Sequence, residues 1–180
     1  MEPIHQAPRK LSVDELERKT KDQFRQAEKL PIVVVLENIR SAYNTGSVFR
    51  TADAFLLDGI YICGYTAYPP HKEIKKTALG AEETVRWKYI KHVADAIEEL
   101  KSEGYAVYAV EQAKGSIPLH QIGSIKRIAV VFGNEVTGVE QATIERCDGC
   151  IEIPQLGMKH SLNISVAAGI VLWELVRRRL

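Results

Sequence analysis

The run Ile32-Val33-Val34-Val35-Leu36 constrains this chain more than any other feature. Five apolar residues, three of them adjacent valines, leave no polar face for water, so the strand they form must be covered on both sides. The rest of the chain repeats the theme: strand-like runs at Ile60–Gly64, Val85–Ile90, Tyr105–Val110, Ile128–Phe132 and Cys150–Ile153 alternate with helical stretches. The helices are expected near Gly46–Phe55, Lys72–Leu79, Val93–Glu103 and Val139–Arg146, with a long last one from Ser161. This alternation predicts an α/β fold, a parallel sheet flanked by helices. With 180 residues the chain has enough length for one real core, and it shows no internal repeat. Residues 1–30 read as a flexible, aperiodic lead plus a helical extension, and 31–180 as the main domain. Ser12 and Glu15 have the spacing of a capping box, with Leu11 and Leu16 as the hydrophobic staple, which predicts a helix running to about Glu28.

Composition narrows the classes of function. A net charge of +1 offers no bulk attraction to nucleic acid, so RNA contact would rest on local patches such as Lys72, Lys75, Lys76, Arg86 and Lys88. No secretory h-region opens the chain, and its longest nearly apolar stretch, Ile164–Trp173, is too short to span a bilayer. Three cysteines make no disulfide framework, which fits a cytoplasmic protein. Cys147 and Cys150 form a C-x-x-C pair, but it runs directly into a strand and has no partner pair, so neither a redox nor a metal role is assigned. The last helix is apolar nearly all round, which for a terminal element predicts a subunit interface. Arg177, Arg178 and Arg179 at its end complement the helix dipole.

Three strings carry chemistry. Asn44-Thr45-Gly46-Ser47-Val48-Phe49-Arg50 follows the first buried strand, and Gly46 is expected at a helix N-terminus able to seat an anion, with Arg50 a turn further on. Phe132-Gly133-Asn134-Glu135-Val136-Thr137-Gly138 is a glycine-and-acid loop at the carboxyl end of another strand, where α/β sheets bind ligands. Ile153-Pro154-Gln155-Leu156-Gly157-Met158-Lys159-His160-Ser161-Leu162-Asn163-Ile164-Ser165 joins a strand end to the last helix through a polar cluster. The segment Glu37–Tyr43 contains no glycine, which excludes a dinucleotide fingerprint after the first strand. Ordinary Rossmann-type methyltransferases place their glycine loop early, and here it comes late.

In this order and at these separations, the three strings resemble the three motifs of the SpoU (TrmH) family of SPOUT RNA 2′-O-ribose methyltransferases, from Pro31 to Val176. Gln155 and Ile164 stand where the family often has methionine and valine. The resemblance implies S-adenosyl-L-methionine as cofactor, RNA as substrate, a homodimer with composite sites, and a C-terminal deep trefoil knot. The knot would be built from 133–138 and 153–165, an exception to the rule against threading. The resemblance assigns the chemistry to Arg50, with Asn44 orienting the ribose or Arg50, and Glu135 and Asn163 bracing the loops. Ser161 belongs to both the catalytic and the cofactor-binding groups. Cofactor contacts are expected from Glu111, Gln112, Gly133, Asn134, Gly138, Ile153, Gln155, Leu156 and Leu162. Only a short extension stands where several ribosomal-RNA enzymes of the family carry an RNA-binding domain, which favours tRNA over rRNA. The alternatives are a 23S rRNA ribose methyltransferase and a non-catalytic RNA-binding protein of the same fold.

Overall fold

The computed structural model describes residues 8–12 and 14–180; residues 1–7 of the expected lead, and Val13, lie outside the described residues. Seven strands form one sheet: β1 (Leu30–Glu37), β2 (Leu57–Cys63), β3 (Trp87–Ile90), β4 (Ala106–Val110), β5 (Ile117–Pro118), β6 (Ile128–Phe132) and β7 (Gly149–Glu152). Their spatial order is β3-β2-β1-β6-β4-β7-β5, and every pairing is parallel. The valine run sits near the middle. Ile32, Val34 and Leu36 face one core together with α2 (Ala42–Ala54), α3 (Lys72–Ala78) and α6 (Ile164–Arg177). Val33 and Val35 face the other core, under α4 (Val93–Ser102) and α5 (Gln141–Arg146). Burial on both faces is why no polar residue interrupts this strand.

From β1 the chain steps outward through β2 and β3, then crosses to build β4, β6 and β7 on the other side. β1 and β6 therefore lie side by side while their following loops diverge to opposite flanks. A crevice opens at such a switch point, at the carboxyl ends of the strands. The glycine loop after β6 forms one lip of it, and the loop after β1 is hydrogen-bonded to the outer side of that glycine loop.

Three boundaries differ from expectation. The Ser12 and Glu15 box does form, with Ser12 N–H donating to Glu15 Oε2 at 2.7 Å, but it supports only a 3-10 turn over Asp14–Leu16. Glu17 then turns left-handed at φ 45°, and a second box, Thr20 with Gln23, starts a separate short helix α1 (Lys21–Gln26). Leu16 stays exposed, so the first turn has no apolar anchor, whereas Phe24 is buried against the main domain. Helix α2 begins at Ala42, capped by Ser41, so Gly46 lies inside it and is not an anion seat at its N-terminus. A Cβ on Gly46 would collide with Thr77 Oγ1 and the Ile74 carbonyl; this glycine is there to let α3 pack closely. Helix α6 begins at Ile164 with Asn163 as its N-cap, leaving Ser161 and Leu162 in the loop before it.

The edge strand β5 carried no signal in a two-residue span. The terminal arginines do more than meet a dipole. Arg178 donates to the carbonyls of Ile122 (2.6 Å) and His120 (2.9 Å), and Arg179 to those of Ile125 (2.7 Å) and Lys126 (3.1 Å). They fasten the segment before β6 to the last helix.

Candidate active site

The glycine loop is built by its own polar atoms. Asn134 and Gly138 exchange backbone hydrogen bonds of 3.0 and 2.9 Å, closing a hairpin over residues 134–138. Inside it, Asn134 Oδ1 accepts from the N–H groups of Val136 (2.8 Å) and Thr137 (3.1 Å). Outside it, Asn134 Nδ2 donates to the Asn38 carbonyl (2.9 Å) and the Tyr65 hydroxyl (2.7 Å). This buried side chain is therefore committed to holding the loop, so a cofactor would meet the backbone at Asn134 and not its amide. Gly133 has no alternative, because a Cβ there would overlap the Gly138 carbonyl carbon and the Val139 nitrogen. Gly138 turns at φ 71° against the Glu111 carboxylate, which accepts from Val139 N–H at 3.0 Å and Gln112 N–H at 2.8 Å.

At the loop's tip, Glu135 ties three distant parts of the chain together. Its carboxylate accepts from the N–H groups of Arg40 (2.8 Å) and Ser41 (3.1 Å) and from Asn44 Nδ2 (2.9 Å). Asn44 Oδ1 in turn accepts from Asn163 Nδ2 at 3.2 Å. Asn163 Oδ1 caps α6 by accepting from Ser165 N–H (2.8 Å) and its hydroxyl (2.6 Å). Burial pulls the Glu135 carboxyl upward, but the donors from Arg40, Asn44 and Ser41 outweigh it and hold the group below the usual carboxylate range. Glu135 is thus a fixed anion bracing the start of α2. On the far side of the loop, burial pushes the Glu37 carboxyl up, although the Thr143 hydroxyl (2.5 Å) and Glu140 N–H (3.2 Å) donate to it.

Between the loop and the segment leading into α6 lies a cleft of about 800 Å³. Of the residues expected to touch a cofactor, Glu111, Gln112, Gly133, Asn134, Gly138, Ile153, Gln155, Ser161 and Leu162 all line it, with Glu135 at its lip. Val110, Val139, Ile164 and Ala167 add apolar wall. Gln112 Nε2 donates to the His160 carbonyl at 2.6 Å, drawing the far rim inward. Among the described residues, no backbone group of 154–162 pairs with another backbone group. Within that stretch Gln155, Ser161 and Leu162 line the cleft with backbone groups that no other backbone group takes.

Two expected residues stand apart. Leu156 is fully exposed and outside the lining; the turn after Pro154 aims it at solvent, so it is not an apolar wall in this subunit. Arg50 is also exposed and does not line the cleft. It opens onto a recess with Ser47, Thr51, Phe55, Lys76 and Gly169, between α2 and α6. Sequence reasoning missed Ser41, Asn38 and Arg40. The first was legible as a Ser three residues before Asn44, with the spacing of a cap, while the others act through backbone or loop contacts that leave no pattern. The thiols of Cys147 and Cys63 are pushed up to about 12, first of all by burial, which makes them poor nucleophiles.

Residues 31–173 match the model of the SpoU rRNA Methylase family. The chain belongs to that family. A Staphylococcus haemolyticus relative named as a TrmH family tRNA/rRNA methyltransferase is 34% identical over 162 residues, covering 88% of this chain and 65% of its own length. The chain therefore spans just under two thirds of the curated relatives it matches first. Among solved structures, an AdoMet-bound rRNA methyltransferase from Sinorhizobium meliloti superposes with a TM-score of 0.78 at 29% identity, over 89% of this chain and 60% of that one. A structure described as giving insight into 2-OH methylation of C/U34 on tRNA has a TM-score of 0.73 at 25% identity, over 82% of this chain and 95% of that one. The three motifs that meet at Glu135, Asn44 and Asn163 all fall inside the family match.

Proposed function

We propose that this chain transfers a methyl group from S-adenosyl-L-methionine to a ribose 2′-hydroxyl of RNA, with tRNA preferred over rRNA. The single observation that carries the reading is the hydrogen-bonded chain Glu135–Asn44–Asn163, which ties the first motif to the two whose segments line the cleft, in a SpoU-family fold. The tRNA preference draws on the similar solved structure described with 2-OH methylation of C/U34 on tRNA. Residues 31–180 act as the methyltransferase unit, with 153–165 threaded past 133–138 as a trefoil knot. Free thiols suit work in the reducing cytoplasm.

The cleft fits the cofactor. Adenine and a sulfonium-bearing methionine chain need apolar walls and backbone donors and acceptors, and Ile153, Leu162, Ile164 and the loop backbone at Gln155, Ser161 and Leu162 would supply both. When bound, the cofactor supplies an electrophilic methyl on a sulfonium. Glu135 and Glu111 place two carboxylates at the cleft, which suits a cationic guest.

In the transfer, the ribose O–H bond breaks, a bond from that oxygen to the methyl carbon forms, and the carbon–sulfur bond breaks. A guanidinium keeps its proton, so Arg50 does not serve as the base. Arg50 donates hydrogen bonds to the developing alkoxide and to an adjacent phosphate, and a phosphate oxygen or a water takes the proton. Since Arg50 does not reach the cleft of its own subunit, the arginine and the cofactor come from different copies. A surface for that pairing exists. Val166, Ile170 and Trp173, spaced along one face of α6, stay 40–50% exposed, and Trp173 packs on Phe55, just after α2, with ring centroids 5.9 Å apart, beside the Arg50 recess. A two-fold dimer across α2 and α6 buries this face.

The reading is tested by incubating the protein with methyl-labelled cofactor and separate tRNA and rRNA fractions, then digesting the RNA to nucleosides. Label in 2′-O-methyl nucleosides from tRNA is expected. Label on bases, or on neither RNA, would refute the assignment, and label in rRNA alone would reverse the substrate preference.

A further inference from the structure

Beside the cleft, three tyrosines stand in the open at the edge of the sheet. Tyr65 and Tyr68 lie in the loop after β2, and Tyr89 lies near the end of the edge strand β3, opposite Ile62 of β2. They are 64%, 46% and 41% exposed, although tyrosine rings usually bury most of their area. Tyr68 sits between Tyr89 (centroids 4.9 Å apart, planes tilted 37°) and Trp87 (6.0 Å, 31°). Two of the rings are pinned at their hydroxyls: Tyr89 donates to the Gly64 carbonyl at 3.0 Å, and Tyr65 accepts from Asn134 Nδ2 at 2.7 Å. Tyr68 and Tyr89 are therefore packed together before anything binds, and Tyr65, which follows the Gly64 that Tyr89 grips, is fastened to the glycine loop.

Several cations on the segments adjoining these tyrosines in the chain have no ion-pair partner among the described residues. Lys72, Lys75 and Lys76 lie on α3, which follows the tyrosine loop, and Lys91 follows β3, where its carbonyl accepts from Gly64 N–H at 3.2 Å. None of these, nor Arg40 beside Glu135, has a carboxylate within ion-pair distance among the described residues. Arg86 and Lys88, expected as phosphate grips, are instead paired with Asp58 and Glu99. Fixed aromatic faces flanked by free cations match unpaired nucleotides, whose bases stack while the lysines meet the phosphates.

We infer that Tyr65, Tyr68 and Tyr89 form a stacking platform for unpaired bases of the substrate RNA next to the nucleotide being methylated. This rests on the RNA reading above and adds to it that the target lies in a loop or other single-stranded stretch. Duplex RNA keeps its bases stacked on each other and cannot use these rings. The lysines grip either form, so they contribute affinity and salt dependence without discrimination.

The test measures binding of labelled oligoadenylate and of a blunt RNA duplex to the full chain with cofactor present, using Tyr68→Leu and Tyr68→Phe. Leucine keeps the apolar cover over Trp87 and loses the stacking face, whereas phenylalanine keeps both. Tyr68→Leu is expected to weaken oligoadenylate binding roughly 5- to 100-fold while leaving duplex and cofactor affinity unchanged, and Tyr68→Phe to bind like the unmodified chain. Lys72→Gln with Lys75→Gln should weaken both RNAs and lower the salt slope by about one unit per lysine. Unchanged oligoadenylate binding by Tyr68→Leu overturns the platform while leaving the methyltransferase reading intact. A shift in oligomeric state instead of RNA affinity would mark the patch as a protein contact and overturn it too. If the unmodified chain binds neither RNA, the RNA reading falls first and takes this inference with it.

Discussion

The glycine-loop cleft and the Arg50 recess differ in kind within the same subunit. In the cleft wall, three acidic or amide side chains are answered from within the chain: Glu135 by Arg40, Ser41 and Asn44, Asn134 by four partners, and Glu111 by Val139 and Gln112. At the recess, Arg50 is exposed beside Ser47, Thr51, Phe55 and Lys76, and the apolar face of α6 next to it is uncovered. The first region is preorganised in a single copy, as a binding site must be. The second is finished only by something outside the subunit. Binding the donor and activating the acceptor are therefore separable properties of this chain.

Separating them should produce the largest effect. Arg50→Ala is expected to slow methyl transfer by about 10²- to 10³-fold, on the scale of losing one transition-state donor, with cofactor affinity by calorimetry essentially unchanged. Lost cofactor affinity would erase the distinction between the two regions. The converse change is Gly133→Val. Its side chain has no room against the Gly138 carbonyl and Val139 nitrogen, so cofactor affinity should fall roughly ten- to hundredfold while circular dichroism still reports a folded chain.

A smaller effect is expected within the cleft itself. Glu135→Gln puts an amide among three donors and should cost about 1–3 kcal/mol in denaturant unfolding near neutral pH. Because the folded carboxyl is held below its unfolded value, its contribution is fully present above the usual carboxylate range and fades as pH falls through the folded value. The gap between Glu135→Gln and the unmodified chain should therefore narrow in acid. A gap that widened in acid would mean that Glu135 is not the braced anion described.

The same division marks what could be read from sequence. The sheet was legible because Ile32–Leu36 of β1 and all of β6 are apolar, and burial on both faces leaves that signature. The cleft was legible because its residues are backbone-shaping glycines and a late acid at a strand end. Helix starts were less so. Gly46 looks like a terminus and is a close contact between helices, and Ser12 looks like a long helix start and is one turn, because no apolar face anchors it. Leu156 was misplaced because nothing in a Pro-Gln-Leu-Gly turn says which way the leucine points. The tyrosine cluster draws Tyr65, Tyr68 and Tyr89 from two strand ends, and pairing across a sheet edge is not written in either segment alone.

Mixing the two damaged proteins tests the composite site most directly. Arg50→Ala and Gly133→Val, each nearly inactive at a cofactor concentration that just saturates the unmodified chain, are combined in equal amounts, dissociated and allowed to reassociate. If the arginine acts on the cofactor of the neighbouring copy, half the dimers are mixed and each has one intact site of two. Activity should then return to about a quarter of the unmodified level. Activity no greater than the sum of the two parents would contradict the account, because it would mean that Arg50 and the cofactor it serves belong to one subunit.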